Sequence, residues 1–113
     1  MENEDQSWGA KAKVYLKYDG DIKALAEIIS KGLLLPEFTI DTDMDPPHDT
    51  FAYCEALGFE IDIYQSKDFS DFGYYIIIAT ENCHDEIMND RMHDISIWLE
   101  KFISLMCGLK TFI

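Results

Sequence analysis

FEIDIYQSKDFSDFGYYIIIAT, residues 59–80, decides the architecture. Phe59, Ile61 and Ile63 alternate with Glu60, Asp62 and Tyr64, the period of a strand with one buried face. Gln65 to Gly73 reads as a polar loop. Tyr74 to Thr80 is apolar at almost every position, as expected of a central strand covered on both faces. The two strands are placed for antiparallel pairing.

Upstream, Lys11 to Tyr18 also alternates: Ala12, Val14, Leu16 and Tyr18 share one face, and Lys11, Lys13, Tyr15 and Lys17 the other. Asp19-Gly20-Asp21 supplies a turn and an N-cap. Ile22, Leu25, Ala26, Ile28 and Ile29 then recur at helical spacing to Lys31, with Gly32 as the expected C-cap. Phe38 to Ile40 predicts a short strand. Asp41 to Asp49 predicts a loop, because Pro46-Pro47 fits neither a helix interior nor a central strand. Phe51 to Leu57 fits helix and strand equally. Glu81 to Asn89 is polar and loop-like. From Asn89 the spacing predicts a helix with Met92, Ile95, Leu99, Phe102, Ile103 and Met106 in one stripe, widened by Trp98 and ended by Gly108. Leu109 to Ile113 predicts a last strand. The expected fold is therefore α+β, in the order β-α-β-β-β-α-β. It is a single domain over residues 10–113, a mostly antiparallel sheet packed by two main helices, behind a flexible N-terminus at residues 1–9.

The charge is one-sided. The formal net charge is -13 in 113 residues. Between Gly32 and Ser66 stand Glu37, Asp41, Asp43, Asp45, Asp49, Glu55, Glu60 and Asp62, with no Lys or Arg among them. Such a surface repels nucleic acid and anionic lipid and attracts basic proteins. Glu60 and Asp62 can pair across strands with Lys11, Lys13 or Lys17. The loop aspartates cannot all be neutralised, because nine Lys and Arg face 22 Asp and Glu in the whole chain.

No pattern assembles a catalyst or a cofactor site. Asp41, Asp43 and Asp45 open like a calcium loop, but Pro46 stands where the turn needs Gly and Ala52 where a bidentate Glu is needed. Cys83-His84 with His93 matches no structural zinc spacing. His48 follows the double proline and is expected to order the loop. Cys54, Cys83 and Cys107 are odd in number and widely spaced, which predicts reduced thiols and no disulfide framework. GxSxG, GxGxxG and the P-loop are absent from the sequence. The acidic start lacks the apolar run of a signal peptide, and no stretch nears the ~18 apolar residues of a membrane span, so a cytoplasmic location is expected.

Pro46-Pro47-His48-Asp49 and Glu55-Ala56-Leu57-Gly58-Phe59-Glu60-Ile61 resemble small bacterial immunity proteins of contact-dependent growth inhibition and related polymorphic toxin systems. The likeness spans roughly residues 37–66, with support from Ile95 to Glu100. It implies a cytoplasmic, non-catalytic protein that binds the toxic domain of a cognate effector, often a nuclease, and blocks its active site. Partner-binding residues follow from the charge and the aromatics beside it: Asp41, Asp43, Asp45, Asp49, Tyr53, Glu60, Asp62, Tyr64, Asp68 and Asp71, with Phe51 next. The free protein is expected as a monomer or weak dimer, with no nucleic-acid, membrane, metal or cofactor partner. The competing expectations are a small ligand-binding or enzymatic domain with a pocket near His48, and a plain interaction module.

Overall fold

The computed structural model describes residues 9–42, 44, 49–65, 73–80 and 92–113. The elements are β1 (Gly9–Lys17), α1 (Ile22–Gly32), β2 (Thr39–Thr42), β3 (Thr50–Ala56), β4 (Phe59–Gln65), β5 (Gly73–Thr80), β6 (Met92–Asp94), α2 (Ser96–Cys107) and β7 (Lys110–Phe112). One mostly antiparallel sheet runs β2-β3-β4-β5-β1-β6, and β7 also pairs with β1. The α+β class and the β4–β5 pairing are as expected, with Ile61 opposite Ile78 and Ile63 opposite Ile76.

Four boundaries differ from the sequence expectation. Phe51 to Ala56 is strand β3, with Leu57 in the turn after it, since β2 and β4 flank the stretch and its alternating Ala52 and Cys54 are buried. Asp41 lies in β2 opposite Phe51, not in the loop. Met92 and His93 belong to β6, parallel to Gly9 and Ala10, so α2 begins only at Ser96 and His93 is not a helix residue. Gly32 is the last residue of α1, and the cap passes to Leu33. A Cβ at Gly32 would fall 2.5 Å from Cys107 Sγ and 3.1 Å from the Met106 carbonyl oxygen, so the missing side chain lets the two helix ends meet.

Both helices lie on the same face of the sheet. Leu25, Ala26 and Ile29 of α1 and Leu99 and Ile103 of α2 join Ala12, Val14, Leu16, Ala52, Ile61, Ile63 and Ile76 in one core. The first helix starts as expected, with the Ala24 N–H donating to Asp21 Oδ1 at 2.8 Å. Among the described residues β5 is central but has helices on one face only. Its outward residues Tyr75, Ile77 and Ala79 are half-buried among the side chains of the neighbouring strands.

The far edge of β1 is shared. β6 pairs with Gly9 to Lys11, and β7 with Tyr15 to Lys17. Between them the N-terminus of α2 closes the gap: the Ile95 N–H donates to the Lys11 carbonyl at 2.8 Å, and the Lys13 N–H donates to Ser96 Oγ at 3.0 Å. Ser96 is the buried polar residue of the described chain. The Ser96 N–H donates in turn to Asp94 Oδ1 at 2.9 Å. The Ser96 hydroxyl first, then this N–H, with help from Lys11, hold the Asp94 carboxyl below its usual range. Replacing Ser96 by Ala leaves the Lys13 N–H without its acceptor. We expect Ser96→Ala to lose about 1–3 kcal/mol of unfolding free energy in urea titration. Ser96→Thr, which keeps the hydroxyl, is expected to lose less.

Candidate interface on the open sheet face

The register brings aromatic residues of five strands into one row on the face away from the helices. Phe51 opposes Tyr64, Tyr64 opposes Tyr75, Tyr75 opposes Tyr15, and Tyr15 opposes Phe112. Ring centroids lie 5.9 Å apart for Phe51–Tyr64, 5.4 Å for Tyr64–Tyr75 and 6.2 Å for Tyr15–Tyr75. Tyr53 joins the row through Phe51 at 5.9 Å. Contacts of this kind are worth about 0.5–1.5 kcal/mol each beyond the area they bury.

Charge divides this face into two halves. On the β1 and β7 side stand Lys11, Lys13, Lys17 and Lys110. The Lys13 ammonium lies over the Tyr15 ring at 5.3 Å and the Tyr75 ring at 4.8 Å, and the Lys110 ammonium over Phe112 at 5.7 Å. On the β2, β3 and β4 side stand Asp41, Glu55, Glu60 and Asp62, and Glu55 directly opposes Glu60.

The expected pairing of Glu60 and Asp62 with the lysines of the first strand does not form. β5 intervenes: Ala79 lies between Glu60 and Lys11, and Ile77 between Asp62 and Lys13. Two strand spacings put those charges roughly 10 Å apart. The ion pair seen among the described residues is Lys31 with Glu27 at 3.0 Å, on α1.

Asp62 feels the consequence. Its carboxyl is pushed up to about 6, first by burial and then by Glu60. Burial, with Asp62 and Glu55 adding, also pushes the Cys54 thiol up to about 11, and burial raises the Cys107 thiol. Thiols held protonated in this way are poor nucleophiles.

Of the ten residues chosen from the sequence, Asp41, Tyr53, Glu60, Asp62 and Tyr64 share the open face. Asp41 also accepts the Thr42 N–H at 2.8 Å. Asp49 is half-buried just ahead of β3. Asp43, Asp45, Asp68 and Asp71 lie outside the described residues, as do His48, Cys83 and His84. Sequence reasoning left out Tyr15, Tyr75 and Phe112 from the row. Alternation placed only Tyr15 on a strand face, and the register shows that Tyr75 and Phe112 share that face.

A second feature lies on the helix side. An apolar cleft of about 300 Å³ runs between α2 and the β3–β4 hairpin, lined by Leu35, Leu57, Phe59, Ile78, Trp98 and Phe102 among others. Leu57, in the two-residue turn with Gly58, has φ 55 and is 96% exposed. A Leu in this left-handed conformation is unusual, since such turns favour Asn or Gly. Among the described residues no group of three His, Cys, Asp or Glu could hold a metal ion. No described helix is long and apolar enough to cross a membrane.

The chain matches no protein-family model, no curated protein and no solved structure.

Asp62 gives a pH prediction. Glu60 and Tyr64 neighbour it along β4, Tyr53 and Glu55 face it from β3, and Ile77 and Tyr75 from β5. Its folded pKa of about 6 is above the ordinary 3.8, so the folded chain holds the extra proton between those values. Folding stability from this group therefore falls as pH rises from about 4 through 6, and the penalty is complete above 6. Asp62→Asn is expected to stabilise the fold at pH 7.5 by roughly 1 kcal/mol, allowing for solvent screening, and to gain nothing near pH 4. Denaturant titration of both proteins at the two pH values measures it.

Proposed function

We propose that this chain is an immunity protein that binds and neutralises a cognate toxin domain, basic and of nuclease type, by covering its active site. The observation behind this reading is the acidic half of the open face. Asp41, Glu55, Glu60 and Asp62 stand unneutralised by the lysines of β1, next to a continuous row of aromatic rings. Nuclease sites are positively charged because they hold phosphates. An acidic face steers toward such a site and suppresses wrong partners, while half-exposed rings supply contact area. In this reading the protein performs no chemistry itself and works in the cytoplasm, where the toxin would act.

One observation favours a second reading. The apolar cleft beside Leu57 and Trp98 is large enough for a small apolar ligand, as in a ligand-binding α+β domain. A ligand there would raise the melting temperature of the chain in a screen of apolar metabolites. The pocket near His48 expected from the sequence lies outside the described residues.

The test of the first reading is co-expression with any toxin-like domain encoded beside this gene. Cells carrying both are expected to survive, and cells carrying the toxin alone to die. Equal killing with and without this protein rejects the reading. In the purified pair, Asp41→Lys with Glu60→Lys is expected to slow association by about tenfold or more at low salt. The loss should shrink above ~0.5 M salt, where charges are screened within a few ångströms.

A further inference from the structure

The two halves of the open face treat their rings differently. On the β1 side the aromatic row carries its own cation: the Lys13 ammonium covers Tyr15 and Tyr75. On the β3–β4 side the row continues through Phe51 and Tyr53, but the charged residues around it are Glu55, Glu60 and Asp62. Tyr53 is 37% exposed and directly opposes Asp62. Asp62 forms no ion pair among the described residues, and Ile77 holds Lys13 away from it.

A ring face beside a carboxylate has the complementary charge for a cation. Of the two basic side chains, arginine fits this pair better. Its planar guanidinium stacks on a ring and donates two parallel hydrogen bonds to a carboxylate at once, whereas an ammonium acts as a point charge. The retention of Glu55 directly opposite Glu60, with Asp62 two residues on, costs the isolated sheet, since like charges across a strand pair repel. A bound cation removes that cost.

We propose that Tyr53, Glu60 and Asp62 form a slot for an arginine side chain projected by a basic partner protein. The guanidinium stacks on the Tyr53 ring and pairs with the Asp62 carboxylate, with Glu60 as the second acceptor. The inference rests on the reading of the partner as a basic protein. It adds the side chain that partner must present and the place where it docks. A second copy of this chain carries a single arginine, Arg91, outside the described residues, and it brings a formal charge of -13 that repels the acidic half of this face, so the occupant argued here is a basic partner.

The test uses the full chain, isotopically labelled, titrated at low salt with a hexa-arginine and a hexa-lysine peptide while the Tyr53 ring and Asp62 carboxyl signals are followed. The arginine peptide is expected to shift these signals most and to bind about threefold or more tighter than the lysine peptide. Asp62→Asn and Tyr53→Ala are each expected to weaken the arginine peptide by roughly fivefold to tenfold, and Tyr53→Phe by less than about twofold. Unchanged amide shifts at Val14 and Ile63 establish that the variants remain folded; Asp62→Asn and Tyr53→Phe keep the side-chain shape should Tyr53→Ala fail that check. Equal affinity for the two peptides overturns the slot. So do shifts spread evenly over all acidic residues, wild-type binding by Asp62→Asn, or a dimer of the free chain that dissociates on Lys13→Glu. The two readings separate cleanly with the neighbouring toxin. Protection of cells with toxin affinity unchanged by Asp62→Asn and Tyr53→Ala rejects the slot and leaves the immunity role standing. Peptide binding in the slot without protection does the reverse.

Discussion

The hydrogen bond from the Lys13 N–H to Ser96 Oγ fixes how the two ends of the chain close on each other. β1 is bonded along one edge to β5 for seven residues. Its other edge has no single partner long enough to cover it. β6 takes the first three residues and β7 the last three, and they run in opposite directions. An unsatisfied N–H in the gap would cost more than most single contacts supply. The hydroxyl of Ser96 fills it, and this places the first turn of α2 against the sheet edge. Leu99 and Ile103 then reach the core beside Leu25 and Ile29. The Thr111 hydroxyl donates to Glu100 Oε2 at 2.6 Å and ties β7 back to the same helix.

That closure puts α1 and α2 on one side and determines what the other side must do. Among the described residues the helices lie on one face of the seven-stranded sheet, and the opposite face has to be shielded by other side chains. This chain uses tyrosines and phenylalanines, whose rings shelter one another along a row while their hydroxyls and edges meet water. Such a face tolerates solvent, and it also retains binding capacity that a lysine- and glutamate-covered face would lack. Lys13 and Lys110 place their ammonium groups over rings of this row.

The elements were legible where one period dominated a long segment. β1, β4 and α1 follow from alternation or helical spacing, since burial on one face imposes that pattern directly on the residues, and β5 follows from a continuous apolar run. β3 was not, because Phe51 to Leu57 is apolar and short enough to satisfy either period, and only strands on both sides decide it. β6 was missed for a related reason. Three residues have no period, and Met92 happens to continue the apolar spacing of α2. The site was half legible. Asp41, Tyr53, Glu60, Asp62 and Tyr64 were singled out by charge and ring type, and they share one face. The cross-strand partners of Glu60 and Asp62 could not be read, because strand order is a long-range property. Placing β5 between β4 and β1 turns an expected salt-bridged surface into one with separated charges.

That separation bears on why the acids stand where they do. Solubility alone is satisfied by carboxylates anywhere on the surface, and the exposed helix positions offer room without crowding. The pairing of Glu55 with Glu60, and the position of Asp62 between Tyr53 and Ile77, are instead among the less favourable placements available on a sheet. The Asp62 carboxyl is raised first by its burial on the sheet and then by Glu60. A moderate local cost at a rigid central strand, beside rings already held in place by their neighbours, is how a preorganised recognition surface differs from a merely charged one. The core beneath it, Ile61 and Ile63 against Ile76 and Ile78, holds the β4 backbone and so fixes where these side chains leave the sheet. Protonation or a bound cation would each lower the remaining repulsion.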